Sequence, residues 1–591
     1  MSLQKQRVLA TGHGIVKYMS NISESRICQN CQQNFIIEPD DFLFYEKIKV
    51  PPPTFCPECR MIRRMMWRNV RSLNKRECGL CNKSLISMYS NKEAPVYCTE
   101  CFYSDKWDQF AIGVNYNFSQ TFFNQFSHLL SKTPRFFNYR SGNLINSDFT
   151  NYSVDNKNVY LAYSTVGNED VMYSEMIDKS KNTFDCYAVQ KLDNCFYNID
   201  CDGNYNTHYA VKSRNCIDSF FICDCINCQN CFLSYNLRNK KYFYKNRQLS
   251  REEYKKVISE IRLDTYSGIS SLSNSFEDIV KNKVIHRFAQ TYNSLNIIGD
   301  NIANSHNVKN SFNVQDSENI KYSNRVLMHT KDSMDLQGLA SGELIYESVA
   351  ASFNTYKDYF CYVTLESKEC EYSFLLKNCS NCFGCVGLKK ASYCILNKQY
   401  EKEEYFKIVE KIKKQMIDMP YVDSKNRVYR YGEFFPYEMS PFGYNETNAI
   451  DYFPINKEEA IIKGYNWRER EKRNYNITIQ SSELQDSILE VDENIFKEII
   501  GCPNNGNEKY QCTTAYRIMP EELQFYKQKG LPLPRYCPNC RHYQRLKFIN
   551  PMKLWHRKCM KEGCNNEFET SYAPERPEVI YCEKCYQKEV Y

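Results

Sequence analysis

The arrangement of cysteines at the two ends of the chain is the strongest constraint on its fold. Two cysteines separated by two residues sit on one tight turn that directs both sulfurs at one point, and a second such turn completes a tetrahedron around zinc. The spacing predicts two zinc sites near each end and about four structural zinc ions in all. The predicted ligands are Cys28, Cys31, Cys56, Cys59, Cys78, Cys81, Cys98, Cys101, Cys502, Cys512, Cys537, Cys540, Cys559, Cys564, Cys582 and Cys585.

The two cysteine-rich ends are copies of one module. Adding 481 to a residue number maps Cys31, Cys56, Cys59 and Cys78 onto Cys512, Cys537, Cys540 and Cys559. A fixed offset with matching ligands is stronger evidence than any single pair. In each copy a proline-rich approach leads to the Cys-x-x-Cys pair, and the residues after that pair are expected to start a helix, as in a treble-clef zinc fold. Cys502 is the least certain ligand, because nine residues separate it from Cys512.

A basic segment follows the first zinc ligands of each module. Residues 60–76 and 535–558 each hold seven Lys or Arg and no acid, with aromatic residues interspersed. Positive charge beside stacking surfaces favours binding to single-stranded nucleic acid or RNA loops. The predicted nucleic-acid contacts are Arg60, Arg63, Arg64, Trp67, Arg68, Arg71, Arg541, Arg545, Lys547 and Arg557.

Two other interpretations of these segments stay open. A four-thiolate zinc site has a net charge of about −2, so nearby arginines could simply neutralise it, and some of the aromatic residues must form the cores of small modules. The segments could also face a protein or ribosomal surface.

The middle of the chain is a second duplication. Residues 112–400 contain units of about 10 to 14 residues that begin with Asn, Asp or Glu and continue with alternating apolar positions. Each unit is interpreted as one short strand and a turn, and stacking of the units predicts a parallel β-solenoid with roughly two units per coil. The two halves repeat at an offset of 151, and each ends in an amphipathic helix expected to cap it.

Central cysteines allow two interpretations. Cys223, Cys225, Cys228 and Cys231 occur in one half, and Cys379, Cys382, Cys385 and Cys394 in the other. They could ligate metal, but alternation would also make them small inward-facing residues of stacked strands, and this second interpretation is favoured.

The predicted fold class is mainly β: a duplicated β-solenoid-like centre with capping helices, flanked by duplicated treble-clef or zinc-ribbon modules. The predicted divisions are an N-terminal tail (1–26), a two-site zinc module (27–110), a first repeat half (111–249), capping helices (250–284), a second repeat half (285–400), a capping helix (401–418), an aromatic clasp or linker (419–495) and a second two-site zinc module (496–591).

Several strings resemble a large group of zinc-ribbon proteins that we associate with candidate-phylum bacteria. They are CPECR, FGCVGLKKASYCILNKQYEKEEY, YGEFFPYEMSPFGYNETNAIDYFP and FYKQKGLPLPRYCPNCR. The resemblance covers the chain from Cys28 to Cys585 and departs at Cys502 and Cys512, where the usual close pair is stretched. It implies zinc ribbons around a repetitive centre and brings no assigned activity.

Composition restricts the function further. The formal charge of +7 falls near neutrality once four thiolate sites are counted, and no run of about 18 apolar residues could span a membrane. The N-terminus lacks the apolar region of a signal peptide, which predicts a cytoplasmic protein, or one packaged in a particle if viral. The eight histidines form no His-x-Glu or HExxH pattern, and His208 is expected to be a strand residue.

These observations predict a non-enzymatic zinc-stabilised scaffold whose zinc modules bind nucleic acid, with RNA or a ribonucleoprotein favoured. No small-molecule substrate is expected. One alternative is a protein–protein structural component of a large assembly or viral particle. Another is a β-solenoid carbohydrate-binding or carbohydrate-active protein.

Overall fold

A computed structural model describes residues 23–90, 94–470 and 474–591. Of the predicted N-terminal tail, residues 1–22 lie outside the described residues. The described chain is mainly β, with 12 helices and 41 strands. No helix in this part of the chain is long and apolar enough to cross a membrane.

The α-helices are α1 (Pro39–Ile48), α2 (Pro57–Met65), α3 (Thr99–Phe102), α4 (Phe122–Lys132), α5 (Arg251–Ser259), α6 (Tyr266–Asn282), α7 (Lys402–Asp418), α8 (Ala449–Tyr452), α9 (Lys457–Ile462), α10 (Pro520–Lys529), α11 (Pro538–Leu546) and α12 (Glu583–Val590). The 3-10 helices are Tyr437–Met439, Tyr444–Glu446, Ser481–Glu483, Ile488–Glu490, Glu493–Lys497 and Glu508–Tyr510.

Before and within the first large sheet the strands are β1 (Glu24–Ile27), β2 (Asn34–Ile37), β3 (Asn74–Glu77), β4 (Ser84–Ser87), β5 (Val96–Tyr97), β6 (Arg135–Phe136), β7 (Arg140–Ile145), β8 (Thr150–Tyr160), β9 (Ala162–Val166), β10 (Glu169–Met172), β11 (Glu175–Asp178), β12 (Lys181–Phe184), β13 (Tyr187–Gln190), β14 (Phe196–Ile199), β15 (His208–Val211), β16 (Phe220–Cys223), β17 (Gln229–Tyr235), β18 (Lys241–Tyr244) and β19 (Arg247–Gln248).

Later strands are β20 (Ile285–Arg287), β21 (Thr291–Tyr292), β22 (Leu295–Ala303), β23 (His306–Gln315), β24 (Glu318–Lys321), β25 (Asn324–Val326), β26 (Thr330–Glu343), β27 (Tyr346–Tyr356), β28 (Tyr362–Leu365), β29 (Lys368–Glu371), β30 (Phe374–Lys377), β31 (Ser380–Phe383), β32 (Ser392–Ile395), β33 (Lys398–Gln399), β34 (Tyr421–Val422), β35 (Val428–Tyr429), β36 (Ile479–Gln480), β37 (Ile500–Gly501), β38 (Ala515–Tyr516), β39 (Trp555–Lys558), β40 (Glu567–Thr570) and β41 (Val579–Tyr581).

Parallel pairing with a 12-residue step builds the centre of the molecule. The first 13-stranded sheet spans 140–248 and is called the first stack; the second spans 291–399 and is called the second stack. In the first stack Thr150 lies opposite Ala162 and Phe220 opposite Phe232. We call each such step a rung. One predicted unit therefore makes a whole rung, and the expectation of roughly two units per coil is wrong.

A left-handed backbone conformation occurs at every third residue of the stacks. In one rung Tyr173, Met176, Lys179 and Asn182 have φ angles of 55°, 55°, 49° and 47°. Residues with a Cβ atom rarely adopt this conformation, and Asn and Asp tolerate it best. The requirement explains the abundance of Asn, which then forms ladders between rungs, as where Asn296 Nδ2 donates to Asn307 Oδ1 at 3.1 Å.

Buried small side chains fill the interior of each rung. Val171, Ser174, Ile177 and Ser180 follow each other at every third position, each at most 3% exposed. Their polar members also bond the next rung, since the backbone N–H of Cys186 donates to Ser174 Oγ at 3.0 Å. Because interior polar groups are paired in this way, burying Ser costs little.

Helices follow both stacks. After the first stack, α5 begins at a capping box in which Ser250 and Glu253 bond each other's backbone N–H groups. After the second stack comes α7, so a helix follows each half as predicted. The short helix α9 begins at a capping box formed by Asn456 and Glu459.

The two stacks lie side by side and run in opposite directions. The hydroxyl of Tyr152, early in the first stack, is 3.0 Å from that of Tyr362, late in the second. Conversely, Arg214 lies late in the first stack, and its guanidinium is 5.3 Å from the ring of Tyr292 at the start of the second.

Candidate metal centres and the arginine interfaces

Four groups of four cysteines come together, two in each terminal module. The groups are Cys28, Cys31, Cys56 and Cys59; Cys78, Cys81, Cys98 and Cys101; Cys502, Cys512, Cys537 and Cys540; and Cys559, Cys564, Cys582 and Cys585. Each group joins consecutive cysteine pairs and could hold one metal ion, and the four groups together include all 16 predicted ligands. The doubtful ligand Cys502 is included, because its sulfur lies 3.8 Å from that of Cys540.

Sulfur separations in these groups fit a tetrahedral metal. Metal–sulfur bonds of about 2.3 Å place tetrahedral ligands about 3.8 Å apart, whereas a disulfide would need about 2.05 Å. The sulfur–sulfur distances are 3.7 Å for Cys31–Cys56, 3.9 Å for Cys81–Cys98, 3.8 Å for Cys502–Cys540 and 3.9 Å for Cys564–Cys582.

A helix begins at the third cysteine of each group, and this stabilises thiolates. The N-caps of α2, α3, α11 and α12 are Cys56, Cys98, Cys537 and Cys582. In each group the backbone N–H of this cysteine also donates to the sulfur of the first, at 3.2–3.4 Å. Burial raises the pKa of Cys78, but the hydrogen bonds from Cys98, Leu80 and Cys81 together outweigh it, and the pKa falls to about 6. Helix N-termini and N–H donors favour anionic sulfur.

Central cysteines lie inside the stacks instead. Cys225 and Cys382 are both 0% exposed, and their thiols contact backbone carbonyls, as where Cys225 Sγ lies 3.6 Å from the oxygen of Cys223. Burial raises the pKa of Cys225 well above its ordinary value. Seven of the eight occupy the same inward positions as Ser and Val, as the favoured interpretation predicted; Cys223 instead aligns with Val211 and Tyr235 and packs outside the rung near Phe276.

The basic segment of the N-terminal module points inward. Arg60, Arg63 and Arg64 on α2 are at most 1% exposed. Arg60 and Arg64 donate to Asp335 Oδ1 at 3.1 and 2.8 Å. Arg63 and Arg64 also bond Glu347, each at 3.0 Å. Three guanidinium groups therefore face carboxylates of the second stack, and cannot reach nucleic acid in this fold.

A third carboxylate balances these charges. Arg63 Nη1 lies 3.1 Å from Glu433 Oε2, which belongs to the clasp after α7. Burial lowers the pKa of Arg63, but Glu347 and Glu433 more than compensate and raise it above its usual value. The interface thus pairs three cations with three anions away from water.

Neighbouring predicted contacts are also enclosed. Trp67 is 0% exposed and packs between Phe434 and Phe435. Arg68 is 1% exposed, lies 4.3 Å from the ring of Tyr152 and donates to the backbone oxygen of Ala350 at 3.2 Å. With no carboxylate bonded to it, burial and then Arg325 lower the pKa of Arg68 to about 10.

The C-terminal module makes the equivalent interface with the first stack. Arg541 and Arg545, which correspond to Arg60 and Arg64, are 5% and 1% exposed. Arg541 Nη1 lies 2.8 Å from Asp185 Oδ2 and 3.3 Å from Glu522 Oε1, and Arg545 also bonds Asp185. Both residues were predicted to contact nucleic acid; in the structure they form buried ion pairs instead.

The correspondence extends to the partners. Tyr322 donates to Asp41 at 2.8 Å in one interface, and Tyr173 donates to Glu522 at 2.9 Å in the other. Asp41 and Glu522 are related by the offset of 481. The first module along the chain therefore docks on the second stack, and the last module docks on the first.

Three predicted contacts lie nearer the surface. Arg71 is partly buried and bonds Asp451 at 2.7 Å. Lys547 is exposed, and Arg557 is partly exposed with its guanidinium 3.2 Å from the backbone oxygen of Ala573.

The second metal group of each module lies at the start of a stack. Strand β5 pairs with β6, which leads into the first stack, and β41 pairs with β20, which leads into the second. Each module therefore contacts both stacks. Its first metal group lies beside the helix that carries the arginines, α2 or α11, which packs on one stack. Its second metal group adjoins the beginning of the other stack.

Sequence reasoning missed the acidic half of these interfaces. Asp185, Asp335 and Glu347 each occupy a left-handed position in a rung, with φ of 54°, 58° and 45°. The usable signal was an acid following a tyrosine by one rung, as Asp185 follows Tyr173 and Asp335 follows Tyr322.

Comparisons with known proteins add little. No family model and no curated protein matches the chain, so the resemblance to zinc-ribbon proteins stays a prediction. One similar solved structure is a proposed acetyltransferase from Desulfovibrio desulfuricans, at 9% identity and a TM-score of 0.11, covering 49% of this chain and 75% of that one. A similarity this low carries no argument about fold or activity.

Proposed function

We propose that this protein is a non-enzymatic, zinc-stabilised scaffold that binds other macromolecules. The observation that carries the proposal is the crosswise docking of the terminal modules, in which Arg64 reaches Asp335 and Arg545 reaches Asp185. Two metal modules that each join both stacks make a rigid frame. Buried ion pairs of this kind specify one arrangement more than they add stability.

Each stack is, in this proposal, half of a parallel β-solenoid. The 12-residue register, the left-handed residue at every third position and the inward column of small side chains support it. Such an array leaves long outer faces for binding, as in other repeat proteins.

Zinc is the metal that we assign to the four cysteine groups. Four thiolates about 3.8 Å apart suit tetrahedral zinc and leave no open position for water or substrate. A structural role follows from that closed donor set, and about four zinc ions per purified chain are expected.

The partner class that we favour is protein. Seven of the ten predicted nucleic-acid contacts are buried: Arg60, Arg63, Arg64, Trp67, Arg68, Arg541 and Arg545. Cations of the last zinc ribbon are offset by acids: Lys558 lies 3.0 Å from Glu567, and Lys561 bonds Glu589. The outer ladders instead offer uncharged amides, exemplified by Asn296 and Asn307.

Nucleic-acid binding remains a second candidate, because Lys75, Lys547 and Lys558 stay exposed in the two modules. Its contribution would be electrostatic and would fall steeply with salt.

Purification of the full chain from its native cell, with and without nuclease, separates the two candidates. A complex that keeps its size and its protein partners after nuclease supports the protein scaffold. A complex that dissociates, together with salt-dependent RNA binding that is lost in Lys547→Ala combined with Lys558→Ala, contradicts it. Lys255→Ala on the exposed face of α5 is the matched charge control.

A further inference from the structure

A buried polar cluster lies where four parts of the chain meet. Glu175 comes from β11 of the first stack, Asp451 from α8 in the clasp, His542 from α11 of the C-terminal module, and Arg71 from the segment after α2. One nitrogen of His542 and one oxygen of each carboxylate lie within 4.8 Å of one another. The side chains of Glu175, Asp451 and His542 are 2%, 4% and 4% exposed.

The contacts that His542 makes with the two carboxylates are too long to be hydrogen bonds. His542 Nδ1 is 3.8 Å from Glu175 Oε2, and His542 Nε2 is 3.8 Å from Asp451 Oδ2. Neither distance is a hydrogen bond. Glu175 Oε2 and His542 Nε2 are buried atoms with no hydrogen-bond partner. Leaving such atoms unpaired away from water is unfavourable, because they lose the hydrogen bonds that water would make.

Arg71 does not balance the cluster alone. Its Nη2 donates to Asp451 Oδ1 at 2.7 Å, while its Nε stays 3.4 Å from Glu175 Oε2. Two carboxylates and one guanidinium leave one negative charge among buried side chains.

The separations that are too long for hydrogen bonds suit ligands of one metal ion. Metal–ligand bonds of about 2.0 to 2.2 Å place two ligand atoms roughly 3.3 to 4.4 Å apart, depending on the angle between them. An ion can bind only one nitrogen of His542; its Nε2 is 3.8 Å from Asp451 Oδ2, within this range, and one donor atom from each of the three residues lies within 4.8 Å of the other two. Arg71, by holding the other oxygen of Asp451, would orient that carboxylate as outer partners of metal ligands do.

We propose that Glu175, Asp451 and His542 bind a fifth metal ion, a divalent transition metal, at the junction of both modules and the first stack. One imidazole nitrogen and two carboxylate oxygens form a donor set for zinc or a neighbouring divalent ion rather than for a thiolate-selective one. The proposal does not depend on the scaffold function, because the site is defined by its donors alone.

Metal content of the full-length chain, purified with zinc in excess and freed of loosely bound ions, tests the proposal. Five zinc ions per chain are expected, and four in Asp451→Asn and in His542→Gln. The matched control is His208→Gln, which changes another histidine, 1% exposed, outside the cluster and should keep five.

Cobalt exchange gives a second measurement that does not need the variants to fold. Five cobalt ions with the thiolate-to-metal absorption of only four sites would support one site of nitrogen and oxygen ligands. A wild-type count of four overturns the proposal, and so does a count of five that both variants retain.

Discussion

The two module–stack interfaces are built on the same plan but differ in how charge is distributed. In the N-terminal module's interface Arg60, Arg63 and Arg64 share Asp335, Glu347 and Glu433. In the C-terminal module's interface two arginines share Asp185, and only Arg541 reaches a second acid. The first interface is therefore a network in which each acid has a substitute, whereas the second depends on one carboxylate.

The two interfaces also differ at the residue that follows each arginine-bearing helix. Arg68 fills the N-terminal module's side, and its counterpart at the offset of 481 is Ile549. Ile549 leaves beside it a cavity of about 30 Å³ lined by Asp200, Lys212 and Asp300 among others. A polar space of this size holds about two water molecules. The two duplicated interfaces therefore share the ion pairs made by α2 and α11 and differ at the residues that follow these helices.

The largest expected effect comes from removing a metal ligand. Cys59→Ser and Cys540→Ser, which are equivalent positions, should each lose one metal and release the following arginine helix. A loss on the order of 5 kcal/mol or more is expected, because metal binding and folding of such a module are coupled. Metal counting and thermal unfolding measure it.

Limited proteolysis of the same two variants tests which stack each module protects. Cys59→Ser should open the second stack to cleavage, and Cys540→Ser the first. Cleavage appearing instead in the stack that adjoins the mutated module in sequence would contradict crosswise docking.

Asp185→Asn should destabilise the protein more than Asp335→Asn. Removing Asp185 leaves Arg545 without any bonded carboxylate, and uncompensated buried charge costs about 3 to 5 kcal/mol. Asp335→Asn leaves Glu347 bonded to Arg64, so a smaller loss of ~2 kcal/mol is expected. Denaturant midpoints of the two variants compare them, and equal losses would refute the single-carboxylate view of the C-terminal module's interface.

Asp358, inside the second stack, should make stability fall between about pH 4 and 7. It occupies the inward position that Thr207 holds in the first stack, and burial raises its pKa to about 7, well above the ordinary value of an aspartate. Below pH 4 the carboxyl is protonated in both states; as pH rises the unfolded chain ionises first, so stability is lost until about pH 7.

Asp358→Asn should remove that pH dependence and stabilise the fold by about 2 kcal/mol at pH 7. Thermal unfolding from pH 4 to 8 measures it, with Asp358→Thr as the control that copies the first stack. An unchanged pH profile would count against a neutral buried carboxyl.

Replacing Arg68 with Met should have the smallest effect, below about 1.5 kcal/mol in either direction. Arg68 is buried without a bonded acid, and an apolar side chain of similar volume avoids its desolvation. A larger loss would show that the bond to Ala350 is essential. Arg63→Met is the contrast, because it removes the guanidinium bonded to Glu433 and should cost more.

Much of the metal architecture could be predicted from sequence, because ligand chemistry fixes the spacing of residues such as Cys56 and Cys59. The repeat of about 10 to 14 residues was visible as well, although the sequence analysis assigned two units to each coil where one makes a whole rung. These features are local, and each depends on residues close together in the chain.

Docking could not be predicted in the same way. Arg64 and Asp335 are 271 residues apart, and nothing local distinguishes an arginine that faces phosphate from one that faces a buried carboxylate. The basic segment was therefore assigned to nucleic acid, since free-standing acids are absent from residues 60–76. The acids of the stacks that pair with these arginines lie in the repeats, where the sequence does not distinguish a buried acid from one exposed to solvent at a turn.

Crosswise docking also has a consequence during synthesis. The first zinc module leaves the ribosome long before Glu433, which pairs with Arg63, has been translated. At about 5 to 20 residues per second the delay is on the order of 20 to 70 seconds. Until Asp335 and Glu347 have been translated all three arginines lack their carboxylate partners, and Arg63 lacks Glu433 for the whole interval. Other anionic molecules, such as RNA, compete for these arginines during that time. Early metal loading, and protection of α2 until the clasp has folded, therefore favour correct docking.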